Sequence, residues 1–126
     1  MNPQHLKYSQ NHEWIRDDGV VFVVGITDYA VEQLGDITYI ELPEVGLDVA
    51  QDDDVASIES VKAASEVYAP VGGRVAQINQ RLLDQPEIVN KSPYEDGWFF
   101  KLEDIERAEF DALMSASEYE SYLKEQ

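Results

Sequence analysis

The chain has 126 residues, 44% of them hydrophobic, which is enough for one domain with a proper core and too short for two. Its 26 acids against 9 bases leave a formal charge of −17, which argues against nucleic acid or anionic membranes and favours partners with basic docking surfaces. It contains no cysteine, so disulfides and thiolate catalysis are excluded and any sulfur chemistry must come from a cofactor.

The opening Met1-Asn-Pro-Gln-His-Leu lacks the basic and apolar regions of a secretion signal and shows no transit-peptide pattern. The longest apolar run, residues 20–26, is too short to span a bilayer, so a cytoplasmic protein is expected. Asp17-Asp18-Gly19 predicts a tight turn before a strand over 20–25. Thr27 then N-caps a short helix over 28–34, and Gly35 stands where a left-handed C-cap is wanted. A strand over 37–42 ends at Pro43, and a loop runs through Gly46. Strands over 55–58 and 67–69 flank a hairpin, Gly72-Gly73 turns the chain, and a strand follows over 75–78. Residues 98–102 alternate, with Trp98, Phe100 and Leu102 on one face and Phe99 and Lys101 on the other. Six or seven strands at short intervals are the pattern of sandwiches and small barrels. Helix returns at the end. Phe110, Leu113 and Met114 share one face of a helix over 105–115, and Ser117 with Glu120 forms a capping box for a last helix carrying Tyr119, Tyr122 and Leu123. Gly35 to Ile40 and Gly73 to Ile78 echo one another, as two pseudo-symmetric halves meeting at the hairpin would.

Enzyme readings fail in turn. His5 and His12 have no third ligand at a recognised spacing, so no metal site is expected. Gly72-Gly73 reads as a turn and not as a phosphate loop. Asp52-Asp53-Asp54 lacks the central glycine and later ligands of a calcium loop and reads as a solvated turn. Carboxylates are plentiful, but nothing selects a catalytic pair.

Lys62 stands apart. It occupies the tip of the predicted hairpin in Glu59-Ser-Val-Lys-Ala-Ala-Ser-Glu66, with small neighbours that leave it open to a docking enzyme. Val-Lys-Ala-Ala lacks the Gly, Asn or Asp of an ordinary hairpin turn, so something other than turn chemistry selects these residues. A Schiff-base role needs burial to lower the pKa, whereas an exposed amine flanked by Glu59 and Glu66 keeps its charge. The lysine is an attachment point.

These residues resemble the attachment signature of the H-protein family of the glycine cleavage system. The resemblance runs through His12-Glu-Trp-Ile15, Val24-Gly-Ile-Thr-Asp-Tyr-Ala30, Leu34-Gly-Asp-Ile37, Leu42-Pro-Glu-Val-Gly46, Tyr68-Ala-Pro-Val71, Val89-Asn90 and Pro93-Tyr-Glu-Asp-Gly-Trp98. The Met-Lys-Met of biotin carriers is absent. The resemblance implies a mainly β fold, a lipoyl/biotinyl-type barrel-sandwich hybrid of two small sheets. It would form one carrier domain over 1–126, with a helical segment over about 105–126.

The resemblance also implies covalent lipoate on Lys62, with Glu59 and Gly73 offered to the lipoylating enzymes. Its partners would be a pyridoxal-phosphate-dependent glycine decarboxylase, a tetrahydrofolate-dependent aminomethyltransferase and an FAD-dependent dihydrolipoamide dehydrogenase. The chain itself would catalyse nothing. The loaded arm would shelter in a cleft bordered by His12, Glu13 and Glu66, the two acids holding its amine. Two positions depart from the family pattern: Glu66 stands where aspartate is common, and Arg74 reverses a charge near Gly73. An H-like relay that donates lipoyl groups to other enzymes is the alternative, and a non-carrier acidic binding module is a third.

Overall fold

The computed structural model describes residues 2–125. Strands β1 (Lys7–Tyr8), β2 (Glu13–Asp17) and β3 (Phe22–Ile26) are followed by helix α1 (Asp28–Leu34), then β4 (Ile37–Glu41) and β5 (Asp48–Val49). Next come β6 (Asp54–Ser60), β7 (Ala64–Tyr68), β8 (Gly73–Ile78), α2 (Arg81–Asp84), α3 (Ile88–Lys91), β9 (Phe100–Glu103), α4 (Arg107–Asp111) and α5 (Ala116–Lys124). The strands form a six-stranded sheet in the order β1-β2-β3-β9-β8-β5 and a three-stranded sheet in the order β4-β6-β7. The fold is mainly β with short helices, and neither sheet closes into a barrel among the described residues.

Two hydrophobic clusters hold these layers. The larger lies between the sheets, where Ile15, Val24 and Ile26 meet Ile40, Ile58 and Val67. Because side chains alternate along a strand, Trp14 and Val23 point the other way. They join Leu6, Tyr8 and, from α5, Ala116 and Tyr119 in the second cluster. The six-stranded sheet is thus covered on both faces, which is why β3 is buried at all five positions. Trp14 lies opposite Gly25, where an added Cβ would come within 2.6 Å of the indole ring.

Helix α1 begins and ends where its sequence signals stand. Thr27 Oγ1 accepts from the Ala30 N–H, and the Gly35 N–H closes the helix on the Val31 carbonyl. Gly35 has φ 74° but ψ −148°, so it leaves the helix in an extended glycine conformation and not the left-handed helical one expected. Four other expectations are corrected. The helix over 105–115 shrinks to α4, because Met114 leaves it to pair its backbone with Tyr8. The capping box is made two residues earlier, by Ser115 and Glu118. Phe99 is buried with Phe100, because the strand starts only at Phe100 and the chain before it is irregular. The two echoing segments fall in different sheets, but sheets of six and three strands are not equivalent halves.

Candidate functional site

The β6–β7 hairpin carries Lys62. The strands pair in antiparallel register from Asp54 opposite Tyr68 to Glu59 opposite Ala64, leaving residues 60–63 to reverse the chain. Ser60 organises the reversal. Its backbone N–H donates to the Ala63 carbonyl at 2.8 Å, and its Oγ accepts the N–H groups of Lys62 and Ala63 at 3.2 and 3.1 Å. Neither Val61 nor Lys62 has positive φ, so the turn is not of the primed kind that calls for Asn or Gly. The hydroxyl supplies what those residues supply elsewhere. Sequence reasoning missed Ser60, although a serine before two unpaired N–H groups is a recognisable local signal.

Lys62 is exposed, as are Ala63 and Ala64 beside it. Its amine takes part in no salt bridge among the described residues. The aliphatic stem lies over Gly35, where an added Cβ would come 3.2 Å from Cε and 3.4 Å from Cδ. The backbone beside the lysine is tied down as well, since the Val61 N–H donates to the Asp36 carbonyl at 3.0 Å.

The two residues expected to serve lipoylation are not brought together. Glu59 is exposed next to the tip, opposite Ala64. Gly73 lies beyond the far end of β7, opposite Val49 on β5. Close packing explains the glycine, because a Cβ there would stand 2.9 Å from the Glu103 carbonyl oxygen and 3.2 Å from Ile105 Cγ2. Arg74 is answered locally: Nε meets Glu103 and Nη2 meets Asp104, both at 2.8 Å. Its positive charge is neutralised at the far end of the fold from the tip.

The three expected cleft residues occupy three environments. Glu66 is exposed on the outer face of the small sheet, in a shallow groove with Glu41, Asp54 and Ser57. Glu13 shares its face of β2 with Ile15 and is only 1% exposed. Its carboxylate accepts from Ser9 Oγ and from the Tyr68 N–H, the latter at 3.1 Å on the unpaired edge of β7. Burial pushes its pKa up to about 7, against the lowering effect of those two hydrogen bonds. His12 has φ 68° and lies half-buried against Tyr29, with ring centroids 4.7 Å apart. Its Nδ1 is 2.8 Å from the Tyr119 hydroxyl, which also meets Thr27 Oγ1 at 2.8 Å. Burial lowers the histidine pKa, so the ring tends toward the neutral form. Glu13 thus meets the free edge of β7 at Tyr68, while Glu66 lies on the outer face of the same sheet, and the two share no hydrogen-bonding partner.

The family model described as glycine cleavage H-protein matches residues 6–126. The chain belongs to the glycine cleavage H-protein family. A glycine cleavage system H protein from Psychrobacter cryohalolentis is 51% identical over 123 residues, covering 96% of this chain and 97% of the relative. One from Listeria monocytogenes is 50% identical over 121 residues, covering 96% and 97%. The crystal structure of a glycine cleavage system H protein from Mycobacterium marinum superposes with a TM-score of 0.87. It is 32% identical and covers 98% of this chain and 99% of that one.

Membership in the H-protein family assigns a carrier role and not catalysis. The Lys62 amine is exposed, and the Glu13 carboxyl, whose pKa burial raises to about 7, is buried. Among the described residues no helix is long and apolar enough to cross a membrane, and no cluster of three metal-binding side chains occurs.

Proposed function

We propose that Lys62 carries lipoate in amide linkage and that the chain shuttles the aminomethyl group derived from glycine within the glycine cleavage system. The group passes from the pyridoxal-phosphate-dependent glycine decarboxylase to the tetrahydrofolate-dependent aminomethyltransferase, and the FAD-dependent dihydrolipoamide dehydrogenase then reoxidises the arm. The observation that carries the reading is an exposed primary amine on a clamped hairpin tip among small side chains. The residues fit the group. Bound lipoate supplies the dithiol that a chain without cysteine lacks. Residues 1–126 act as one carrier domain, whose two sheets we read as a barrel-sandwich hybrid of the lipoyl and biotinyl type.

The chain's own residues present and shelter the arm. Ser60 fixes the turn from which it departs, and Glu59 next to the tip, together with Gly73, is offered to the lipoylating enzyme. The free edge of β7 leads from the tip to Tyr68, where Glu13 waits, and Glu66 stands on the outer face of the same strand. A cationic amine stored there meets one exposed carboxylate and one buried carboxyl poised near neutrality, while His12 closes the neighbouring surface against Tyr119.

Intact mass of the chain from lipoate-replete cells tests the reading. One lipoyl increment, lost in Lys62→Arg with the fold unchanged, is expected, as is glycine decarboxylation when the modified chain joins the partner enzymes. An unmodified wild-type chain would sink the proposal.

A further inference from the structure

We propose that Asn90 is the positioning residue for the Lys62 tip, acting through the turn at residues 35–37. The proposal deepens the lipoyl-carrier reading and rests on it only for its functional consequence. Asn90 belongs to α3, which is fixed in the larger cluster by buried Ile88 and Val89. Its Nδ2–H donates to the Gly35 carbonyl and its Oδ1 accepts the Ile37 N–H, both at 2.9 Å. One amide thus spans the turn, and only this orientation of the amide satisfies both partners.

The turn needs such a clamp. β4 starts at Ile37, which pairs with Ser60, but the register slips before Tyr39, so this end of the strand is held by one pair beyond an irregularity. Gly35, in its positive-φ conformation, is a weak link by itself. Two tethers of the tip land here, beside the bond from Thr38 Oγ1 to the Glu59 carbonyl. The Asp36 carbonyl receives the Val61 N–H, and Gly35 is the floor under the Lys62 stem. Beyond the Ile37–Ser60 pair no third strand supports the turn, so the direction of residues 61–63 is set by what they lean on. The line of support runs from the core through α3 and the Asn90 amide to the turn, and from the turn to the lysine. A tip held in one direction has less freedom to lose when an enzyme engages it.

Backbone relaxation on the unmodified wild-type chain is the first test. Val61 and Lys62 should have order parameters of about 0.85, as in rigid backbone, and values below about 0.6 overturn the proposal. The second is Asn90→Asp, which keeps an acceptor for Ile37 but replaces the donor facing Gly35 with a second acceptor. Amide hydrogen exchange at Val61 should accelerate roughly five- to tenfold, the worth of one hydrogen bond, with Val24 and Val67 unchanged. Unchanged exchange at Val61, or equal acceleration at all three amides, overturns it. In the same variant kcat/KM for lipoylation should fall by a comparable factor, carried by KM. Should Lys62 take no lipoyl group at all, the carrier reading fails, and the relaxation and exchange results still decide the role of Asn90.

Discussion

The Lys62 tip and the Tyr119 cluster are both held by side-chain hydrogen bonds, but they use them to opposite ends. At the tip, the Ser60 hydroxyl and the Asp36 carbonyl fix backbone that stays in water, leaving the lysine amine free. Under α5, the Tyr119 hydroxyl joins His12 to Thr27 where water is excluded, and the tyrosine ring stacks on Tyr8 with centroids 4.8 Å apart. The same kind of bond gives direction to an exposed group in one region and global stability in the other. A buried partner left unsatisfied costs far more than one that water can reach.

Mutations that separate stability from presentation sharpen the contrast. Trp14→Ala empties the largest fully buried side chain and should cost about 3–5 kcal/mol in urea unfolding. Glu13→Gln should change the pH dependence. The wild-type carboxyl titrates near 7 in the fold against 4.5 when unfolded, so its stabilisation is complete below 4.5 and is lost as pH rises through about 7. Across that window wild type should lose about 3 kcal/mol more stability than the variant. Matching slopes in pH-dependent unfolding curves would refute the buried protonated form. Tyr119→Phe removes the hydroxyl shared by buried Thr27 and half-buried His12 and should cost about 1–3 kcal/mol by thermal unfolding. Ser60→Ala, by contrast, should cost under about 1 kcal/mol globally while freeing the Lys62 and Ala63 amides to exchange. A global loss from Ser60→Ala as large as that from Tyr119→Phe would break the comparison.

What was legible in the sequence was local. Thr27 and Gly35 bound α1 at the expected positions, though Gly35 is not in the left-handed helical conformation expected, and small residues between two short β-like runs placed the Lys62 hairpin. The remainder depends on contacts between distant positions. Asn90 meets Gly35 across 55 residues, and His12 meets Tyr119 across 107. Met114 ends its helix because Tyr8 offers a backbone partner, and periodicity near residue 114 carries no trace of that. Glu13 is expected at the border of a cleft, but nothing in the sequence marks it as buried. Only the strand pairing shows that it shares the inward face of Ile15.

The Tyr68 N–H lies on the unpaired side of β7, an edge on which the backbone of another molecule could build. The Glu13 carboxylate occupies that donor from within the same chain. Strand addition at that position is thereby denied its donor.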